Sequence, residues 1–348
     1  MTFDEYQAAM DAELRAGFTR MFAHSRTREH TPDSLPARRQ QVAAFAARTR
    51  QQLPPNHHVR ATDHRIPGQR AAPDVRVRMY SPAQPKADMP AVMWIHGGAF
   101  VLGTADQDEA LCQRFVERVG AIVVSVDYRL APEDPFPAAL DDCYAALQWM
   151  NATAGELRLD VSRIAVAGAS SGGSLAASLT LLARDRGEMA LAFQLLLYPS
   201  LDDRLVSSSS LEFAAPGMIG NRDDVFQGWR AYLGNSNGEI PPYAVPARAA
   251  DLGRLPPAYM MTGELDALRD EDVAYAVRMM EAGVRTELHI YPGAFHGFDT
   301  MVPTAALSTR AVNEYVTALA AALAPNVANV KNTVRAPLAS RRGMEGTR

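Results

Sequence analysis

The sequence of 348 residues has little of several features that define other protein classes. It contains only two cysteines, Cys112 and Cys143, without metal-site spacing, so we expect two buried thiols in a reducing compartment. No window reaches the roughly 18 uninterrupted apolar residues of a membrane-spanning helix. The N-terminal stretch MTFDEYQAAMDAELRAGF is charged throughout and is typical of neither a signal peptide nor a membrane anchor. We therefore expect a cytoplasmic protein that is not bound to a membrane.

A strong charge of one sign is also absent. The formal net charge is −4, with 47% hydrophobic and 21% charged residues, which is ordinary for a globular enzyme. This balance does not indicate a nucleic acid or an anionic membrane as a partner. The length suits a single large α/β core, because such folds commonly reach about 250 to 300 residues.

From about residue 58, short β-branched runs alternate with helical segments. This alternation predicts an α/β sheet with crossover helices, and the continuously apolar central runs predict parallel strands covered on both faces. The predicted strands are 75–80, 91–96, 121–126, 163–168, 193–199, 257–263 and 286–292. The predicted helices of this part are 107–119, 138–151, 172–186 and 271–282.

Two regions do not follow this alternation. Residues 3–22 carry apolar side chains at steps of three and four, which predicts one amphipathic helix, and a weaker helix is predicted over 36–51. The interval 200–250 contains a serine run and then a helix that Asn221 caps. The apolar side of that helix consists of Val225, Trp229, Tyr232 and Leu233. We interpret this interval as an insertion above the sheet that pairs with the N-terminal helices.

These patterns predict three parts. Residues 1–55 form an N-terminal helical cap segment, and residues 56–325 form the catalytic domain with a cap insertion at about 200–245. We call 1–55 and 200–245 the cap segments. The basic, aperiodic tail 326–348 is predicted to be disordered.

The stretch RIAVAGASSGGSLAASL passes from an apolar strand into a helix through glycine, alanine and serine residues, which have very small side chains. Gly168-x-Ser170-x-Gly172 in this setting fits a nucleophile elbow, in which a sharp turn exposes a serine hydroxyl at the edge of the sheet. A glycine- and serine-rich loop without catalytic function is the alternative interpretation.

A serine hydroxyl needs a base, and the base needs an orienting acid. Glu264 and Asp266 follow one predicted strand and His296 follows the last one, in the chain order expected for this fold class. Spacing favours Asp266 over Glu264 without deciding between them. A structural loop role is the alternative for His296, whereas His289 lies within a strand and is interpreted as structural. The acids 270–272 are explained as first-turn residues favoured by the helix dipole.

The stretch WIHGGAFVLG indicates an anion site. A strand ends in His96, and Gly97, Gly98 and Ala99 follow, so backbone N–H groups can point into a cleft. The second half of such an oxyanion hole is the N–H of Ser171 at the helix N-terminus. A plain Gly-Gly turn is the alternative interpretation.

The motifs HGGAF, YRLAPE, GASSGG, DALRDED and FHGF, in this order, resemble the hormone-sensitive-lipase-like (bacterial family IV type) carboxylesterases of the α/β-hydrolase fold. The resemblance covers residues 58–320. It implies a mostly parallel eight-stranded sheet flanked by helices, with a helical cap. It also assigns the site: nucleophile Ser170, acid Asp266, base His296, oxyanion donors Gly97, Gly98 and Ser171, and supporting residues His96 and Ala99. Arg129 and Glu133 of YRLAPE would anchor a loop.

The chain departs from the commoner motifs HGGG and GDSAGG at Ala99, Ala169 and Ser171. No member of the triad is missing.

The expected function is a serine carboxylesterase that hydrolyses short- to medium-chain esters through an acyl-enzyme on Ser170. The expected partner is a small-molecule ester, and the reaction needs no metal or organic cofactor. We expect Met, Phe, Trp and Tyr side chains of the cap segments to roof the cleft. The alternatives are a non-catalytic small-molecule receptor, and an amidase or acyltransferase with the same triad. The strand 286–292 is a candidate for homodimer pairing through an exposed edge.

Overall fold

The computed structural model describes residues 1–22, 34–234 and 240–325, and its eight strands form one sheet. The strands are β1 (Val59–Ile66), β2 (Val75–Pro82), β3 (Met89–Ile95), β4 (Ile122–Asp127), β5 (Leu159–Ala169), β6 (Phe193–Leu197), β7 (Ala258–Leu265) and β8 (Thr286–Phe295). Their order across the sheet is β1-β2-β4-β3-β5-β6-β7-β8. Strand β2 pairs antiparallel with β1 and β4, and all other pairs are parallel. The predicted mostly parallel α/β sheet is confirmed.

The sheet is buried on both faces because its central strands are apolar at every position. In β3 all seven residues are buried. Ala91, Met93 and Ile95 belong to the core on one face, and Val92 and Trp94 to the core on the other. Because side chains alternate along a pleated strand, β3 contributes to two separate hydrophobic layers, each covered by helices.

The helices of the described residues flank this sheet or lie over its carboxyl edge. They are α1 (Phe3–Ala9), α2 (Ala12–Phe22), α3 (Leu35–Gln52), α4 (Glu109–Val119), α5 (Ala138–Ala152), α6 (Ala154–Leu157), α7 (Ser171–Arg186), α8 (Ser208–Glu212), α9 (Arg222–Leu233), α10 (Arg269–Glu281), α11 (Phe298–Met301) and α12 (Ala306–Ala322), with short 3₁₀ turns at Gln69–Ala71 and Pro246–Arg248. The predicted cap of α9 is confirmed, since the Asn221 side chain accepts hydrogen bonds from two backbone N–H groups.

The single helix predicted over 3–22 is wrong, because the chain breaks between α1 and α2. Asp11 accepts hydrogen bonds from the N–H groups of Glu13 and Leu14 at 2.9 and 3.2 Å and so starts a new helix. Its own N–H donates to the carbonyl of Gly293 at 3.0 Å. The apolar spacing continues across the break, and periodicity alone therefore does not reveal it.

Among the elements longer than five residues, two were absent from the predicted set. Strand β1 is a half-exposed antiparallel edge strand rich in charged residues, so it lacks the apolar run that marks the central strands. Helix α12 is rich in alanine and packs against the same core as β6 and β7. The predicted tail 326–348 lies outside the described residues. Both cysteines are free and buried, as predicted.

Strand β8 forms one edge of the sheet. The segment suggested for pairing between two chains is therefore at an edge, while dimerisation itself stays a prediction. Within the described ranges, none of the helices combines the length and the apolar character needed to cross a bilayer.

Candidate active site

Ser170 stands at the turn between β5 and α7, in a backbone conformation that few non-glycine residues adopt. Its φ of 54° and ψ of −123° lie in the left-handed half of the map. A Cβ atom on Gly168 would lie 2.2 Å from the carbonyl oxygen of Gly172, and one on Gly172 would lie 2.1 Å from that of Ile95. The scarcity of side-chain bulk is thus required by the close approach of three backbone segments.

Backbone hydrogen bonds hold this turn against β6. The N–H of Ser170 donates to the carbonyl of Leu197 at 2.9 Å, and the carbonyl of Ser170 accepts from the N–H of Ser200 at 3.1 Å. The serine hydroxyl is therefore carried on a turn that the neighbouring strand fixes on both sides.

The side chains of Ser170, His296 and Asp266 form one hydrogen-bonded row. His296 directly follows β8, and its Nε2 lies 2.9 Å from the Oγ of Ser170. Its Nδ1 lies 2.8 Å from Oδ2 of Asp266, which is fully buried. The other oxygen of Asp266 accepts from the N–H of Leu268 at 2.9 Å. When Nδ1 donates its proton to Asp266 in this hydrogen bond, Nε2 is free to accept the hydroxyl proton.

The imidazole of His296 is stabilised in its charged form. Burial by itself would lower its pKa, but the charge and hydrogen bond of Asp266, with smaller contributions from Asp299 and Asp224, raise the pKa above its ordinary value. The ring of Tyr198 packs edge-on against the imidazole at 4.9 Å, and its hydroxyl donates to Asp299 at 2.9 Å. The positive charge of a protonated His296 is therefore stabilised by nearby negative charge.

The other acids near this row have different partners. Glu264 accepts from the N–H of Gly293 at 2.8 Å, so its carboxylate binds the backbone of β8 and not the imidazole. Glu271 is buried and accepts from the N–H of Leu201 at 2.7 Å. Asp272 is fully buried as well, and burial raises the pKa of both carboxyls well above the usual range. The helix dipole is therefore an incomplete explanation for residues 270–272.

The loop after β3 brings Gly97 and Gly98 beside Ser170. A Cβ on Gly97 would lie 3.3 Å from the Cβ of Ser170. Gly98, Ala99 and Phe100 all have positive φ. The carbonyl of Gly98 accepts from the N–H groups of the next turn at 2.9 and 3.1 Å, which closes the loop into a tight bend.

His96 supports this loop from below. Its Nδ1 lies 2.9 Å from the carbonyl oxygen of Gly97, and its ring stacks on Tyr128 at 4.3 Å. The hydroxyl of Tyr128 donates to the carbonyl of His96 at 2.9 Å. Burial lowers the pKa of His96, which favours the neutral ring. A Cβ on Gly103 would overlap the imidazole, so this glycine makes room for it.

The cap segments touch the same loop from above. A Cβ on Gly228 of α9 would lie 2.8 Å from the carbonyl oxygen of Ala99. Phe100 stacks on Tyr232 at 4.1 Å and packs on Trp229 at 4.9 Å. The expectation that aromatic side chains of the cap segments roof the cleft is wrong for Trp229 and Tyr232. Both are buried in packing against Phe100 and do not line the cleft.

Arg39 of α3 makes the second cap contact with the loop. Its guanidinium donates to the carbonyls of Val101 and Ala131 at 2.8 Å each and forms a bidentate pair with Glu133 at 2.7 and 2.8 Å. Arg129 forms a similar pair with the buried Asp142. Both charged residues of YRLAPE thus anchor a loop, as predicted. Sequence reasoning did not single out Arg39, since one arginine on a polar helix gives no signal of its own.

A cavity of about 990 Å³ opens over the serine. Its lining combines residues of the catalytic domain with residues of α3 and α9. The lining residues include Gly97, Gly98, Asp108, Ser170, His296 and the cap residues Arg38, Val42, Val225 and Arg230. Neither Asp108 nor Gly228 was a candidate from the sequence, because only the fold brings them to the serine.

Known proteins share both the sequence and the structure of this chain. Residues 92–300 match the family described as alpha/beta hydrolase fold. Carboxylesterase NlhH of Mycobacterium tuberculosis is 42% identical over 252 residues, which cover 71% of this chain and 79% of that protein. The chain belongs to the hormone-sensitive-lipase-like carboxylesterases of the α/β-hydrolase fold.

Two further similarities agree with this membership. An ethyl acetate hydrolase of Pseudomonas putida is 34% identical to this carboxylesterase over 228 residues, covering 65% of this chain and 71% of that protein. The solved structure of a bacterial heroin esterase superimposes with a TM-score of 0.84 at 39% identity, covering 91% of this chain and 99% of that one. The predicted family, fold and carboxylic ester hydrolase activity are confirmed, and the receptor and amidase alternatives are not favoured.

Proposed function

We propose that this carboxylesterase cleaves esters through an acyl-enzyme on Ser170, with His296 as the base and Asp266 as the orienting acid. His296 takes the hydroxyl proton while the oxygen of Ser170 attacks the ester carbonyl. The alcohol leaves with the proton that His296 returns. Water then attacks the acyl-enzyme by the same route and restores the serine.

The observation that supports this proposal is the unbroken row of two hydrogen bonds from Ser170 through His296 to Asp266, at 2.9 and 2.8 Å. Both lengths are within the range that proton transfer requires. The buried acid and the raised pKa of His296 favour the imidazolium that forms as the serine attacks.

We propose that the N–H groups of Gly97, Gly98 and Ser171 stabilise the tetrahedral oxyanion. Gly97 approaches the nucleophile closely, and Ser171 opens α7, whose N-terminus favours negative charge. His96 and Ala99 act on the loop: the former by bracing it from below, the latter by contacting α9. Loss of one donor of this kind typically costs on the order of 10²–10³ in rate.

We propose short- to medium-chain esters as substrates, with the cap segments as the roof that limits their size. A cavity of about 990 Å³, enclosed in part by α3 and α9, suits a small ester better than an extended lipid. The similarity to a protein named ethyl acetate hydrolase agrees with a small substrate. The division into residues 1–55, 56–325 and 200–245 underlies this proposal.

A cytoplasmic location and pairing of two chains through β8 stay predictions. Pairing is tested by light scattering of the purified chain.

The decisive experiment replaces the nucleophile. Ser170→Ala should reduce kcat by on the order of 10⁵-fold or more and abolish covalent labelling by an organophosphate, with an unchanged melting temperature. Ser162→Ala, which removes an exposed hydroxyl of the same type, is the matched control. Near-normal turnover by Ser170→Ala would refute the assignment.

Substrate size is tested with a p-nitrophenyl ester series from acetate to palmitate, beside an anilide of matched acyl length. We expect kcat/KM to peak at short or medium acyl chains and the anilide to be turned over far more slowly. A peak at palmitate would contradict the size limit, while leaving the nucleophile assignment intact.

A further inference from the structure

Asp108 is a charged side chain of the cavity that has no part in the reaction as proposed. Asp108 lies immediately before α4, which starts at Glu109, and lines the same cavity as Ser170 and His296. The few polar or charged groups in a mostly apolar ligand pocket fix the orientation and choice of the ligand. Two other carboxylates of the lining have partners already described, since Glu133 pairs with Arg39 and Asp224 acts on the charge of His296. A role in substrate binding would explain why Asp108 lies in this cavity.

The partners of Asp108 are neutral. Its Oδ2 accepts from the indole N–H of the buried Trp94 at 2.9 Å, and its carboxyl also interacts with the side-chain amide of Gln107. The neighbouring acids differ, since Asp106 pairs with Arg76 at 2.8 Å and Glu109 with Arg78 at 3.4 Å. Over the described part of the chain, no arginine, lysine or histidine forms an ion pair with Asp108. The negative charge at this position is held in place but not neutralised.

The carboxyl of Asp108 is nevertheless ionised at mildly alkaline pH. Burial raises its pKa to about 6, with a further increase from Asp299, while the hydrogen bonds of Trp94 and Gln107 oppose the rise. At pH 7.5 the group is therefore a carboxylate in surroundings of low dielectric, where a charge acts more strongly than in water.

We propose that Asp108 is a specificity-determining residue that favours esters carrying a cationic group, such as a quaternary ammonium, and disfavours anionic ones. The inference rests on the proposed function, because it requires the ester to bind beside Ser170. The arginines in the lining of the cavity, Arg38 and Arg230, belong to the cap helices α3 and α9. The preferred cationic group is accordingly one that reaches past the cap helices to the start of α4.

The test compares pairs of esters that differ in one atom, a quaternary nitrogen against a quaternary carbon. For the alcohol side the pair is 2-(trimethylammonio)ethyl acetate and 3,3-dimethylbutyl acetate. For the acyl side it is p-nitrophenyl 4-(trimethylammonio)butyrate and p-nitrophenyl 5,5-dimethylhexanoate. The ratio of kcat/KM for the cationic to the neutral ester is measured at pH 7.5 for the unaltered enzyme and for Asp108→Asn. Comparing the two enzymes cancels the intrinsic reactivity of each ester.

Asparagine keeps an oxygen for Trp94 but removes the charge. We expect Asp108→Asn to lower the cationic-to-neutral ratio about tenfold for at least one pair. Asp223→Asn on the exposed side of α9 is the control for long-range charge, and it should leave both ratios unchanged. Ratios that stay within about twofold of the unaltered enzyme for both pairs would overturn the proposal.

A second measurement does not depend on a folded variant. In the unaltered enzyme at pH 7.5, choline should inhibit hydrolysis of a neutral p-nitrophenyl ester competitively and at least about fivefold more strongly than 3,3-dimethylbutanol. Equal inhibition by the two alcohols would count against Asp108 as the selecting group. A wrong nucleophile assignment would give a different result. In that case Ser170→Ala would still hydrolyse both neutral esters.

Discussion

Substitution of Gly172 by alanine tests whether the close packing around the serine is required for catalysis. The new Cβ would lie 2.1 Å from the carbonyl oxygen of Ile95 and 2.4 Å from that of His96. Both are backbone atoms, so no change of rotamer relieves the overlap. To reach ordinary contact at about 3.4 Å, the start of α7 and the end of β3 must separate by roughly 1 Å.

That separation would move the proposed donor Ser171 away from the proposed donors after β3. A displacement of about 1 Å in a reacting site can cost about 10²-fold in rate. Overpacking should also cost about 1–3 kcal/mol of stability. We therefore expect Gly172→Ala to lower kcat for a p-nitrophenyl ester about 10²-fold and to lower the melting temperature by several degrees.

The matched control is Gly155→Ala, because a Cβ at Gly155 would have nothing within 4 Å. It should leave kcat and the melting temperature nearly unchanged. Organophosphate labelling of Gly172→Ala separates slow chemistry from loss of the site. A Gly172→Ala enzyme with the rate and melting temperature of the unaltered protein would refute the steric reasoning.

Two further predictions concern charge. The raised pKa of His296 predicts that kcat/KM increases with pH through a midpoint above about 6.5, since only the neutral imidazole acts as base. Asp266→Asn removes the charge that raises this pKa, so the midpoint should move to lower pH while kcat falls on the order of 10⁴-fold; a midpoint unchanged in that variant would contradict the assigned acid. Arg39→Gln should lower kcat about tenfold with little change in melting temperature, because its pair with Glu133 is partly exposed. An Arg39→Gln enzyme indistinguishable from the control Arg48→Gln, which alters an exposed arginine of the same helix, would show that this contact is not needed.

The parts of the site that the sequence predicted are those that each lie at the end of a strand. Ser170, Asp266 and His296 follow β5, β7 and β8, and parallel strands bring their carboxyl ends to one edge of a sheet. Once the strands are recognised, their meeting at this edge follows from topology. The sequence left Glu264 and Asp266 as alternatives because both follow the same strand, and only the fold directs one carboxyl to the imidazole and the other to Gly293.

The parts that the sequence did not predict depend on contacts between distant segments. Strand β1 is charged and half-exposed, so its place in the sheet comes from pairing with β2. The break between α1 and α2 is stabilised by Gly293, far along the chain. The aromatic face of α9 was recognised, but its partner was not: Trp229 and Tyr232 pack on Phe100 of the catalytic domain. Periodicity indicates that a face is buried without indicating what covers it.

These contacts divide the site into two parts with different supports. The row from Ser170 to Asp266 is fixed by the sheet and its adjoining turns, through backbone hydrogen bonds of Ser170 and Asp266 themselves. The loop after β3 is held from below by His96 but from above by Arg39 of α3 and by α9. Changes in the cap segments should therefore affect the proposed oxyanion donors, and hence kcat, while leaving the reactivity of the serine toward small covalent probes largely intact. Substrate choice and rate should therefore be coupled in this carboxylesterase, because the same helices line the cavity and support the loop that is proposed to stabilise the transition state.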